Sequence, residues 1–485
     1  LQTEKTSKKT YSKREKTERP MTQRAQKENK MGVMPVGRLI VTMSWPAILS
    51  MLVQATYNVV DSIFVARVSE KALTAVTLIF PAQMLIIAVG VGTAIGVNSL
   101  IARRLGARRF MDADKAASHG IRLAIYSWIV FAVAAALFAD AFMKAFTSDP
   151  YILQNGASYL RIVMIFSLFV FVQMTAEKIL QATGSMILPM ICSLMGACVN
   201  IALDPILIFG LFGAPRMGVI GAAVATVIAQ TLSFSLGMYI LFRKNHQVKV
   251  RIYGFPHDKR TIREIYAVGF PAIMMQSILS FLQFGINIIL AGFSGTAVAV
   301  MGVYGRLQSF IFMPVIGINQ GTTPVIGYNY GAGNKKRLMQ TYKMALLAAA
   351  VIMAAGCALF MIMPKTLLSF FDAGENMYAI GIPAMRIISI CFLPAAFGII
   401  TSGFFQATGH GFISLAASLI RQLAGILPLA ILLSKMWGIT GVWWAFPMAE
   451  TLGVLFLVIM MRRLYKKEIS ILMPVGREEN GPKTD

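Results

Sequence analysis

Gln181-Ala182-Thr183-Gly184 returns as Gln406-Ala407-Thr408-Gly409, 225 residues further along the chain. The same shift carries Pro46-Ala47-Ile48 onto Pro271-Ala272-Ile273 and Arg161 onto Arg386. It also carries Gly92, Gly96 and Gly106 onto Gly317, Gly321 and Gly331. Further on, Gly218 and Gly221 match Gly438 and Gly441 at a shift of 220. A single coincidence among glycines and alanines would carry little weight. A near-constant offset held across separated segments predicts a fold of two related halves.

The material between these markers is apolar. Of 485 residues, 56% are hydrophobic and only 14% charged, against about a quarter charged in a soluble domain. Apolar spans are predicted at 39–64, 72–100, 117–139, 153–176, 187–211, 217–242, 266–293, 297–326, 341–363, 379–403, 412–434 and 437–461. Each is long enough to cross a hydrocarbon core of roughly 30 Å. The fold class that follows is all-α integral membrane: twelve transmembrane helices in two six-helix bundles. Six is even, so both bundles keep one orientation and their pseudo-two-fold axis runs along the membrane normal. The expected divisions are a tail at 1–34, an N-terminal bundle at 35–242, a linker at 243–263, a C-terminal bundle at 264–465 and a second tail at 466–485. Residues 1–34 read as a disordered basic tail without the apolar core of a signal peptide.

The net charge of +24 could suggest a nucleic-acid partner, but its distribution argues against one. The cations gather in alternate short loops: Arg103, Arg104, Arg108, Arg109 and Lys115, then the 243–263 linker, then Lys335, Lys336 and Arg337. By the positive-inside rule these loops and both basic termini face the cytoplasm. The expected location is the plasma (inner) membrane, multi-pass, with membrane lipids as neighbours. The four cysteines lie inside apolar spans without metal-type spacing and read as buried structural thiols. No catalytic constellation is evident, so neither an enzyme nor a cofactor is expected.

Gly92–Gly96 and Gly317–Gly321 are GxxxG pairs suited to close helix packing. Pro46 and Pro271 are candidate conformational kinks, or alternatively turns at the starts of their helices. A charge within hydrocarbon is costly, so an ionisable residue inside a span is a functional candidate. Four stand out: Asp61, Asp204, Arg421 and Glu450. Glu177, followed by Lys178 at an expected helix end, is set aside. Asp61 and Asp204 reach similar depth in the first and fifth spans. Asn200 shares a helix face with Asp204, being four residues before it, and Thr226 in the sixth span can reach the same region. This oxygen-rich group suits a hard cation or one shared proton. The competing reading makes Asp61 a helix cap and Asp204 the start of a turn before Pro205. Arg421 and Glu450, on neighbouring helices, read as an ion pair, with Glu450 as a contact for a cationic substrate in the alternative.

Several segments together resemble the multidrug and toxic compound extrusion (MATE) family over about residues 35–465. They are Pro46 with the YNVVDSIFV segment around Asp61, the RRLGARR loop around Gly106, Gln181-Ala-Thr-Gly, Val199-Asn-Ile-Ala-Leu-Asp204-Pro, and Gly218 to Thr226. The resemblance implies a V-shaped pair of bundles that export drugs and cationic or amphipathic organic compounds, driven by inward flow of Na⁺ or H⁺. It places ion or proton coupling at Asp61, Asn200, Asp204 and Thr226, with Asp61, Asn200 and Asp204 as metal ligands if the ion is Na⁺. The seventh and tenth spans lack acids that the NorM-type branch carries, so a prokaryotic DinF-type or related branch fits better. The protein is expected to act as a monomer on small organic substrates. The alternative function is a lipid or lipid-linked oligosaccharide flippase of the same superfamily.

Overall fold

The computed structural model describes residues 29–243, 247–251, 254–371 and 373–474. These form helices and connecting turns, with no strand among them. In the first half, α1 is Val36–Ala66, α2 Glu70–Gly106 and α3 Phe110–Lys144. The fourth span, α4, is broken into Pro150–Ile165 and Leu168–Ala182, which meet at 43°. It is followed by α5 (Ile187–Phe209) and α6 (Val219–Arg243). The second half repeats the order with α7 (Lys259–Ala291), α8 (Gly295–Gly331) and α9 (Lys335–Ile362). Then α10 is broken into Glu375–Ser389 and Phe392–Thr408 at 48°. A last apolar run, Gly411–Ile471, turns at Gly438, which has φ 60° and ψ −144°. Splitting it there gives α11 (411–437) and α12 (439–467), the twelve spans that the sequence predicts.

The repeat is written into the backbone as well as the sequence. Gly184 and Gly409, at the ends of the two Gln-Ala-Thr-Gly segments, have φ of +89° and +95°. Gly218 and Gly438 have φ of +56° and +60°. Ser69 caps α2 by accepting from the Ala72 amide, and Ser294 caps α8 by accepting from the Ala297 amide. Each cap satisfies an otherwise unpaired N–H at the first turn. Each half buries its own hydrophobic core, one running from Ala72 to Ile265 and the other from Ile286 to Ile469.

Residues 29–34 depart from the expected disordered tail. Asn29 caps a short helix, Lys30–Val33, and the Met31 side chain is fully buried. Asn329 of α8 and Arg337 of α9 both donate to the Met31 carbonyl. An apolar anchor with satisfied carbonyls thus ties the start of the chain to the second half. At the other end α12 runs on to Lys467 and Ile469 is buried. Residues 1–28 and 475–485, the rest of both expected tails, lie outside the described residues, as do Lys244 and His246 of the linker. Pro46 and Pro271 sit well inside α1 and α7 rather than at helix starts. Of the cysteines, Cys192 and Cys391 are buried, but Cys198 is exposed on its helix.

The lobes meet through the paired glycines, all in the half of the molecule nearest the basic loops. A Cβ on Gly96 would come within 2.2 Å of the Ile265 carbonyl of α7. On Gly321 it would come within 2.8 Å of the Met43 carbonyl of α1. Nearest the loops, a Cβ on Gly106 would meet the Tyr328 carbonyl at 1.9 Å, and one on Gly331 the Arg103 carbonyl at 2.0 Å. Only glycine permits such backbone approach. Ser99 of α2 adds a hydrogen bond to the Gln406 carbonyl of α10, at 2.6 Å.

Candidate functional site: a central cavity with an acid pair behind its wall

Between the lobes lies a cavity of about 700 Å³. Its lining is rich in amides, including Gln54, Gln276, Gln320, Gln406, Asn98 and Asn319. Met51, Met174, Met190 and Met275 supply polarizable apolar surface. Among the described residues the lining includes no phenylalanine, so the chain's many phenylalanines serve packing and the outer surface instead.

The first-half acids lie behind the wall of this cavity, next to its lining residues Asn200 and Thr226. Asp204 is fully buried and Asn200 is 3% exposed. Asp204 sits inside α5, which continues through Pro205 to Phe209, so it starts no turn. Asp61 likewise lies within α1 rather than at a cap. The Asp61 and Asp204 carboxyls lie within electrostatic range of one another. Asn200 Nδ2 donates to Asp204 Oδ1 at 3.3 Å and lies 3.4 Å from Thr226 Oγ1. The structure therefore brings together all four residues that sequence reasoning grouped. Three buried oxygens among them, Asp61 Oδ1, Asn200 Oδ1 and Asp204 Oδ2, have no hydrogen-bond partner among the described residues. Buried oxygens left unpaired are expensive, and two facing carboxylates call for a positive charge between them. A donor set of carboxylates, a carboxamide oxygen and a hydroxyl fits a hard cation, and equally a shared proton.

Sequence reasoning missed the aromatic surround. Tyr57 and Tyr159 lie within electrostatic range of the acids, and Gln83 Nε2 is 3.3 Å from the Tyr159 hydroxyl. Tyr57 precedes Asp61 by four residues and so shares its helix face, a signal available in the sequence. It lines the cavity along with Asn200 and Thr226, and thus stands between the acids and the cavity.

Glu177 corrects the sequence reading. Because α4 runs on to Ala182, Glu177 and Lys178 sit more than a turn inside it and line the cavity. Glu177 Oε1 accepts from Gln173 Nε2 and from Ser193 Oγ, both at 3.1 Å. Lys178 Nζ donates to Gln181 Oε1 at 2.8 Å and, across the lobes, to Gln320 Oε1 at 3.0 Å. The informative sequence signal was Thr183-Gly184, which marks the true end of the helix.

In the other lobe Arg421 Nη1 donates to both oxygens of Glu450, at 3.1 and 3.3 Å. Arg421 lies in a π-helical stretch, Leu419–Ile426, the kind of insertion that re-aims a side chain toward a site. Both partners line the cavity, so the ion pair and access to a substrate coexist.

A family model described as MatE matches residues 46–206 and 271–431, one copy in each half. Among curated proteins, the multidrug export protein MepA of Staphylococcus haemolyticus (strain JCSC1435) is 26% identical over 409 residues. That match covers 84% of this chain and 89% of the relative. MepA of Staphylococcus aureus (strain MSSA476) is 26% identical over 425 residues, covering 87% and 92%. Among solved structures, the outward-facing conformation of a multidrug resistance MATE family transporter of the MOP superfamily superposes with a TM-score of 0.84 at 27% identity. It covers 92% of this chain and 99% of that one.

Proposed function

Because the chain belongs to the MatE family, we propose that it is a secondary active transporter that exports cationic and amphipathic organic compounds in exchange for Na⁺ or H⁺. The observation that carries this reading is the set of unpaired buried oxygens on Asp61, Asn200 and Asp204 behind the wall of a 700 Å³ cavity. The basic-loop end, where the glycines close the lobes, faces the cytoplasm of a cell membrane. The cavity then lies above a closed inner gate and releases its content outward.

The coupling ion acts through the acid pair. With Asp61 and Asp204 loaded, the charge inside the N-terminal lobe is neutralised and α1 and α5 can approach. Unloaded, they repel. Differential stabilisation of one conformation by a few kcal/mol is enough to shift a two-state equilibrium. Pro46 and Pro271 each remove a backbone donor from the middle of a helix, which makes them the natural bending points of α1 and α7. A phosphate-bearing lipid-linked substrate fits less well, since the cavity lining holds as many acids, Glu177 and Glu450, as bases, Lys178 and Arg421.

The test is efflux of a fluorescent organic cation from proteoliposomes under an imposed Na⁺ or pH gradient. One of the two gradients is expected to drive transport, and Asp61→Asn or Asp204→Asn to abolish it. Undiminished gradient-driven export by both variants would overturn the coupling role.

A further inference from the structure

Residues 29–34 lie between the lobes rather than on either one. Asn29 Nδ2 donates to the Thr183 carbonyl at 3.1 Å, just past the end of α4, and to Gln247 Oε1 of the linker at 2.7 Å. Its Oδ1 accepts from the Met31 amide at 2.9 Å. Two residues on, the contacts change sides. The Met31 carbonyl accepts from Asn329 Nδ2 of α8 at 3.1 Å and from Arg337 Nε of α9 at 2.9 Å. Arg337 Nη2 also donates to the Met34 carbonyl. The fully buried Met31 side chain belongs to a third apolar cluster, distinct from the two lobe cores. That cluster takes Met186 from the first lobe, Val325 and Tyr328 from the second, and Met43 from α1. The seat fits the segment closely: a Cβ on Gly184 would lie 3.3 Å from Asn29 Oδ1 and 3.4 Å from Met31 Cγ. On Gly32 it would lie 3.2 Å from the Tyr328 ring.

We propose that Asn29–Met34 is a latch across the inner gate, seated in a groove built from both lobes and holding that gate shut until it lifts out. A turn of hydrogen-bonded helix is short and does not stretch. It cannot stay on Thr183 and on Arg337 once the lobes part at the basic-loop end. Opening toward the cytoplasm therefore detaches Asn29 from the first lobe, or withdraws Met31 and two accepting carbonyls from the second. Either step exposes buried apolar surface or unpairs buried polar groups, and so opposes opening. The paired glycines let the lobes fit together, and the latch keeps them there. The inference goes beyond the export reading and uses it in one respect, that the basic-loop end parts during the cycle.

The test reads the gate itself. Asn98→Cys, on the cavity floor, is labelled with a membrane-impermeant maleimide supplied from the cytoplasmic side of inverted vesicles holding the full-length protein. Labelling of the protein without that change is subtracted. Met31→Ser empties the apolar seat and should raise the labelling rate about tenfold, the scale of one lost buried side chain. Asn29→Asp keeps the acceptor that caps the Met31 amide and removes the donor to Thr183 and Gln247. It should raise the rate about threefold, the scale of one hydrogen bond. Arg337→Gln, which frees the segment from the second lobe, should raise it as well. Melting temperatures of the same variants are followed in parallel. An anchor that only secures the chain to the second lobe would lower the melting temperature of Met31→Ser and leave labelling at the wild-type rate, and that result overturns the proposal. So does a rise with Arg337→Gln and none with Asn29→Asp, since the first lobe would then take no part. Raised labelling without gradient-driven efflux of the fluorescent cation would count against the export reading alone and leave the latch standing.

Discussion

The two lobes share a scaffold and divide the charges. In the N-terminal lobe the ionisable groups in and behind the cavity wall are left open: Asp61 and Asp204 keep unpaired oxygens, and Glu177 and Lys178 keep unused donors and acceptors. In the C-terminal lobe the positions related by the repeat are closed. Ile286, 225 residues after Asp61, is buried among apolar side chains. Lys178 is answered by Gly403, where a Cβ would strike Asn319 Oδ1 at 1.8 Å. The cavity-facing charge pair of this lobe, Arg421–Glu450, is already satisfied. Open charges seek ligands and closed ones hold structure. On the proposed reading, ion and substrate binding belong to the first bundle and a supporting role to the second.

The largest effect that could break this comparison is on coupling. Asp204→Asn should reduce gradient-driven export to the level of protein-free vesicles. The double variant Arg421→Met/Glu450→Gln should retain substantial gradient dependence, because it removes a pair that carries no ion. Loss of coupling in the double variant, measured in the same vesicles, would place part of the ion pathway in the second lobe.

Stability sharpens the same contrast. Arg421→Met alone strands a carboxylate that is only 7% exposed. It should cost about 3–5 kcal/mol, whereas removing both partners should cost much less. Thermal unfolding of the purified single and double variants, in one detergent, reads the difference. If the single variant were no less stable than the double, Glu450 would have found another partner and the pair could not be described as closed.

The symmetric gate gives the next effect. Gly106→Ala and Gly331→Ala each place a methyl group against backbone of the opposite lobe at about half the normal contact distance. Overpacking of this kind costs about 1–3 kcal/mol. Here it acts on the closed gate more than on either lobe alone. Both variants should therefore shift the population away from the closed inner gate, seen as increased labelling of a cysteine introduced at Asn98, at the cavity floor. Equal labelling of wild type and variants would mean that the gate relaxes around the extra atoms.

Much of this was legible in the sequence, because the relevant physics is one-dimensional. Hydrocarbon thickness sets span length, and duplication leaves a constant offset, so twelve helices in two halves follow from hydropathy and from the Gln-Ala-Thr-Gly repeat. The grouping of Asp61, Asn200, Asp204 and Thr226 was legible from depth and helix face. The open pair at Glu177–Lys178 was not, because it depends on where α4 ends. A shift of one turn separates a loop charge from one facing the cavity. The burial of Met31 was also hidden, since a short helix next to a polar tail has no periodicity of its own and is held by Asn329 and Arg337 from the other half.

The smallest effect comes from a tie that only the first lobe possesses. Lys71 Nζ lies 2.6 Å from Asp149 Oδ2 at the end of the molecule away from the basic loops, while the repeat-related positions hold Thr296 and Gly374. The Lys71 ammonium, with the helix-capping amides of Ile152 and Tyr151, holds the Asp149 carboxyl below the ordinary carboxylate range. A depressed carboxylate stabilises the fold above its unfolded pKa, and that contribution is lost as pH falls through the folded one. Because Lys71 is exposed and Asp149 partly so, screening leaves little of it at physiological salt. Lys71→Met should therefore leave the melting temperature at pH 7 unchanged within error and slightly reduce its fall between pH 5 and pH 3. A clear loss of stability at pH 7 would show that the first lobe depends on surface ties which the second does without, and the lobes would differ in scaffold as well as in charge.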